Sequence, residues 1–156
     1  MNTRRLWYTG TFCVFLVILL YLPGLADFFL FDSKANLLEN AALQQDFTQF
    51  SHWLAVAGSS DSGPSGRPLA MLSFATHSAW LGELSASSIK AGNLFIHLLT
   101  GLALYRAVLL LLPHLLPPAT SETRTRALAL TAVLLWLLHP LQVSTVLYAI
   151  QRMQQL

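Results

Sequence analysis

Three long apolar runs leave this chain few folds to choose from. They cover Leu6–Leu22, Ile89–Leu112 and Ala127 to about Val146. An α-helix needs about 20 apolar residues to cross roughly 30 Å of hydrocarbon. A soluble domain of 156 residues has no use for three such runs. Apolar residues make up 54% of the chain and charged ones 10%, where soluble domains carry about a quarter charged. The pattern predicts an all-α polytopic membrane protein, with about three transmembrane helices and short external interfacial helices.

Charge placement orients the chain. The net charge of +2 is too small to suggest a nucleic-acid partner. Arg4 and Arg5 precede the first run, and Arg124 and Arg126 precede the third. Six of the seven acids (Asp27, Asp32, Glu39, Asp46, Asp61 and Glu83) lie between the first two runs. Basic residues in short loops stay cytoplasmic. The expectation is a bacterial inner-membrane protein with a cytoplasmic N-terminus. Residues 1–26 hold the first span, 27–88 an external loop, 89–116 the second span and 117–126 a cytoplasmic loop. Residues 127–156 hold the third span and the start of the next external segment. Gly24-Leu25-Ala26 could pass as a cleavage site, but the long run before it and two later runs favour a retained signal anchor. Cys13 stands alone inside the first run and reads as a small packing residue.

The external loop has its own pattern. Asp46 is placed to cap a short interfacial helix through Val56, with Phe47, Phe50 and Leu54 at helical spacing. Gly58–Gly66 is a Ser/Gly linker. Pro68 starts a second apolar helix, ended near Leu81 by Gly82 and too short to span. Ser87-Ser88 would cap the second span, and Pro113, Pro117 and Pro118 would close it. His139-Pro140 ends the third span or kinks it; ending is the expectation. The chain stops at Leu156 inside an amphipathic pattern, which reads as a cut chain.

Polar residues cluster at two places. Lys90, Asn93, His97 and Thr100 recur every three or four residues along the second run, on one helical face. Ionisable groups at membrane depth face a polar cavity or a partner. An outward-facing cavity lining is the expectation, and an interhelical hydrogen-bond stripe its rival. Thr145, Tyr148, Arg152 and Gln155 form a second stripe. Its Arg suits phosphate through a bidentate fork, or it is a solvated face with a snorkelling Arg. Asp32 sits in the apolar string Phe28–Phe31, where partial desolvation suits a base or a metal ligand; a turn or N-cap Asp is the alternative. Neither a zinc-ligand spacing nor a phosphate-binding Gly loop is present.

Four motifs occur in order: FLFDS, SGRPLAMLSFATHSAW, IKAGNLFIHLL and LLHPLQVSTVLYAIQRM. Together they resemble the N-terminal part of bacterial GT-C-type glycosyltransferase-like proteins with C-terminal tetratricopeptide repeats. Those are similar to the transmembrane TPR O-mannosyltransferases. The resemblance implies a partial GT-C-like fold and sugar transfer on the external side. The donor would be a polyprenyl-phosphate-linked sugar and the acceptor a protein or glycan. It makes Asp32 the catalytic base and matches Arg67-Pro68, Asn93, His97, His139-Pro140 and Arg152 to the family's motifs. Arg67, Lys90 and Arg152 would hold the donor phosphate, with Asn93, His97, His139 and Tyr148 lining the pocket. No cofactor is firmly implied beyond a possible divalent metal ion. Three positions depart from the pattern. Ser33 stands where a paired acid is common, Val143-Ser144 replace an acid after His-Pro, and Gln154 replaces one after the Arg. A non-catalytic scaffold of the same fold is therefore the first rival. A haem-binding span pair using His97 and His139 as axial ligands is the second.

Overall fold

The computed structural model describes residues 3–30, 33–60, 67–82 and 84–156, and among these it is all-helical. Helix α1 runs Thr3–Tyr21, α2 Phe50–Ala57, α3 Pro68–Leu81 and α4 Ala86–Leu115. Helix α5 runs Glu122–Leu137, α6 Leu141–Leu147 and α7 Arg152–Gln155. Short 3-10 and π turns fill Leu22–Leu25, Lys34–Leu38, Ala41–Gln44 and Ala149–Gln151. Two stretches, Tyr8–Leu25 and Ala86–Leu115, are long and apolar enough to cross a membrane, and α5 with α6 makes a third if that bent pair is one span.

The chain divides into two compact units. The first holds residues 1–23 and 94–143. In it α1 packs on α5, burying Val17 and Tyr21 on one side and Ala129, Val133 and Leu137 on the other. Phe12, Phe15 and Leu20 point outward. A lipid-facing surface tolerates this, because acyl chains are as apolar as Leu. The second unit holds residues 24–93 and 144–156. Its core joins Leu37, Leu43, Val56, Met71, Phe74, Ile89 and Met153. The described residues between the first two spans thus include a packed core; residues 61–66 of the expected Ser/Gly linker lie outside them.

Several boundaries differ from the sequence expectation for physical reasons. Helix α2 starts at Phe50 after Gln49, so Asp46 does not cap it. Its carboxylate instead accepts from the Thr48 hydroxyl (3.2 Å) and pairs with His52 (3.1 Å). Phe47 lies before the helix and packs its ring on Trp53, whose Nε1 donates to the Phe47 carbonyl at 3.0 Å. Phe50 and Leu54 are exposed. Helix α3 keeps its expected limits, and Gly82 ends it at φ +80°, a left-handed turn that favours glycine.

The cap of α4 is Ser85, whose Oγ accepts the Ser88 N–H at 3.2 Å. Asp27 takes the Ser87 N–H at 3.1 Å. Ser87 and Ser88 are therefore the capped residues, not the caps. Helix α4 also runs through Pro113 to Leu115. A proline so near the C-terminus removes only one late ladder bond. Helix α5 begins at Glu122, inside the expected cytoplasmic loop. Glu122 suits the positive end of the helix and pairs with Arg126 one turn on. At His139-Pro140 the chain neither stops nor continues straight: α6 leaves α5 at 66°.

Candidate functional site

Breaks in helices determine where the polar residues go. A helix that ends at membrane depth leaves carbonyls without partners, and the apolar surroundings cannot supply donors. In the first unit α5 ends at Leu137 because Pro140 has no N–H to continue the ladder. The Leu137 carbonyl accepts from His97 Nε2 at 3.1 Å and from the Tyr21 hydroxyl at 3.3 Å. That partner makes Nε2 the protonated nitrogen. The His97 ring lies 4.8 Å from Trp136 and 5.9 Å, edge-on, from Tyr21. His97 is 2% exposed. His139 is exposed, and its Nδ1 accepts the Leu141 N–H at 3.2 Å, which starts α6. Each of these two histidines spends one ring nitrogen on the backbone.

In the second unit burial inside the protein makes the same demand at the break after α6. The chain leaves α6 at Leu147 and passes a 3-10 turn before α7. Asn93 of α4 caps this break. Its Nδ2 reaches the carbonyls of Val146 (3.3 Å), Tyr148 (3.4 Å) and Ala149 (3.2 Å). Its Oδ1 accepts from Arg152 Nε at 2.8 Å. Arg152 also donates to the carbonyls of Ile89 (2.9 Å) and Ser73 (3.5 Å), and its guanidinium lies 4.6 Å above the Phe74 ring. Gly92 makes room: a Cβ there would stand 2.5 Å from Arg152 Nη2. Lys90, one turn earlier, donates to the Ala26 carbonyl at 2.7 Å and sits 4.1 Å over the Phe28 ring.

These cations are sealed. Lys90 is 1% exposed, Asn93 0% and Arg152 2%. Among the described residues no carboxylate pairs with Arg152. Burial pushes its pKa down to about 10, which leaves it charged at neutral pH. Burial and the Arg152 charge together push the His77 pKa below the ordinary range, and His77 Nε2 shares a hydrogen bond with the Ser88 hydroxyl at 2.9 Å.

The sequence-nominated residues therefore separate into groups. Asn93 and Arg152 meet directly, with the Tyr148 carbonyl beside them. Lys90 shares their unit but serves Ala26. His97 and His139 belong to the other unit. Thr100 is exposed and bonds back to Ile96, so it leaves the stripe. Tyr148 and Arg152 do not share one regular helical face with Thr145, because the helix breaks between them. Arg67 is exposed and holds φ +44°, unusual for a side chain larger than Gly and doubly so before a proline. Asp32 lies outside the described residues. Ser33 is fully buried, and its hydroxyl has no partner among them.

Two cavities stand out. One of about 750 Å³ lies in the second unit, bordered by Leu43, Gln45, Asp46, Ser78 and Gly82 among others. One of about 500 Å³ lies in the first unit, between α1, α4 and α5. Neither is lined by any of the nominated residues. No group of three His, Cys, Asp or Glu among the described residues could hold a metal ion. Sequence reasoning missed Asp27, Tyr21 and Ser85. Their only signal was a position beside a helix end. The class defined by this fold is a helical protein with spans for a membrane and a folded non-spanning module. The chain matches no protein-family model, no curated protein and no solved structure.

Proposed function

We propose that this chain is part of a membrane-embedded, GT-C-like glycosyltransferase that moves a sugar from a polyprenyl-phosphate donor to a protein or glycan on the external face. One observation carries the reading. The four ordered motifs, spread over more than a hundred residues, all contribute to one compact unit. Phe29 of the first motif packs on the core that holds Phe74 of the second, Ile89 of the third and Met153 of the fourth. Arg152 of the fourth bonds Ser73 of the second and Ile89 and Asn93 of the third. This shared packing supports reading the motifs as the frame of one site.

The geometry changes the roles within that proposal. Asn93, Lys90 and Arg152 position the backbone, and Arg67, exposed at the start of α3, is the nominated cation that would meet a donor phosphate. Asp32 remains the proposed base. The N-terminus is proposed to lie in the cytoplasm of a bacterial cell, with the second unit outside. Single cysteines at Ser51 and Ser121, both exposed, test this in a Cys13→Ser background. An impermeant maleimide should label Ser51→Cys on intact cells and spare Ser121→Cys; the opposite result reverses the topology.

The sealing of Lys90, Asn93, His97 and Arg152 favours a second reading, a non-catalytic membrane scaffold of the same fold. Cells with and without the full-length protein separate the two. A donor-consuming enzyme should leave the lipid-linked sugar pool larger when it is deleted, whereas a scaffold should leave it unchanged.

A further inference from the structure

The groove in the first unit has an uneven chemistry. Its walls are apolar, with Val14, Leu98, Leu102 and Leu134 facing it. Arg106 of α4 and Arg126 of α5 also line it. Arg126 pairs with Glu122, while Arg106 has no carboxylate partner among the described residues. Two cations thus stand against one acid.

Depth sharpens the point. Helix α4 has 30 residues, about 45 Å at 1.5 Å per residue, which exceeds a hydrocarbon core of roughly 30 Å. Arg106 lies nine residues before its end at Leu115, about 14 Å. This puts Arg106 near the hydrocarbon boundary, where an Arg snorkels or meets an anion. Leu102, on the groove wall, is 55% exposed, so the groove has an open side along α4. On α1 the groove is bordered by Gly10, where an added Cβ would meet nothing within 4 Å. The space beside it is open.

We propose that this groove binds one anionic phospholipid from the leaflet on the side of the α1 N-terminus. An acyl chain lies along α1, α4 and α5, and the phosphate is held by Arg106 and Arg126. Charge complementarity selects the anionic lipid, because a zwitterionic headgroup brings an ammonium that finds no free carboxylate beside Arg106.

The test uses the full-length protein in phosphatidylcholine bilayers that carry a minor fraction of photoactivatable phosphatidylglycerol. Peptides from α1, α4 and α5 should be cross-linked. A photoactivatable phosphatidylcholine at the same fraction should label them several-fold less. Arg106→Gln should lower phosphatidylglycerol labelling about five-fold, the usual contribution of one basic residue near an anionic surface. Gly10→Leu puts a side chain into the groove at a position where an added Cβ meets no atom within 4 Å, so it should lower labelling several-fold in a protein that still folds. Equal labelling by both lipids overturns the proposal, as does unchanged labelling in Gly10→Leu. Absence of labelling in the unaltered chain overturns it too, since another segment of the protein would then occupy the groove.

Discussion

Asp32→Asn in the full-length protein is expected to cut sugar transfer by about two to four orders of magnitude, the usual contribution of a general base. Asn keeps the size and hydrogen-bonding shape of the side chain but cannot take a proton from an acceptor hydroxyl. The neighbouring segment is apolar and anchored. Phe28 lies under the Lys90 ammonium and Phe29 packs on the core of the second unit. Donor binding should survive the change, because on the proposed reading Arg67, not Asp32, meets the donor's charge. Arg67→Ala should do the reverse and raise the donor concentration needed for half-maximal rate. Single-turnover transfer from a lipid-linked donor separates the two effects. A rate unchanged in Asp32→Asn would favour the scaffold reading.

Arg152→Ala is expected to destabilise the second unit by about 3 kcal/mol, because it removes charge-assisted hydrogen bonds and leaves buried groups unpaired. Two helices, α3 and α4, depend on this side chain. It bonds Asn93 Oδ1, the Ile89 carbonyl and the Ser73 carbonyl, and it covers the face of Phe74. Arg152→Lys should recover little, since one ammonium cannot copy a planar fork that reaches three directions. Gly92→Ala should act in the same direction through crowding of Nη2. Thermal unfolding in detergent, followed by protease sensitivity between Gly24 and Asn93, measures the effect. A variant that unfolds as the parent does, yet binds donor weakly, would return Arg152 to the phosphate-binding role that its spacing suggested.

The contrast between these two residues shows what was legible in the chain. Hydrophobic length alone determined that Tyr8–Leu25 and Ala86–Leu115 can span a membrane, because no other fold has use for such runs. Local chemistry likewise determined α3, with Pro68 at its first turn and Gly82 at its left-handed end. Spacing correctly placed Lys90, Asn93 and His97 on one face of α4. What that face does was not in the spacing. A stripe of polar residues at membrane depth can line a cavity or cap a broken backbone, and both use the same period. Only the tertiary structure, by breaking the chain at Leu138–Pro140 and again at Tyr148, created the bare carbonyls that His97 and Asn93 answer. Such partners lie 40 to 56 residues away in the chain. Helical periodicity is a property of one segment and carries no information about which distant carbonyl is left without a donor.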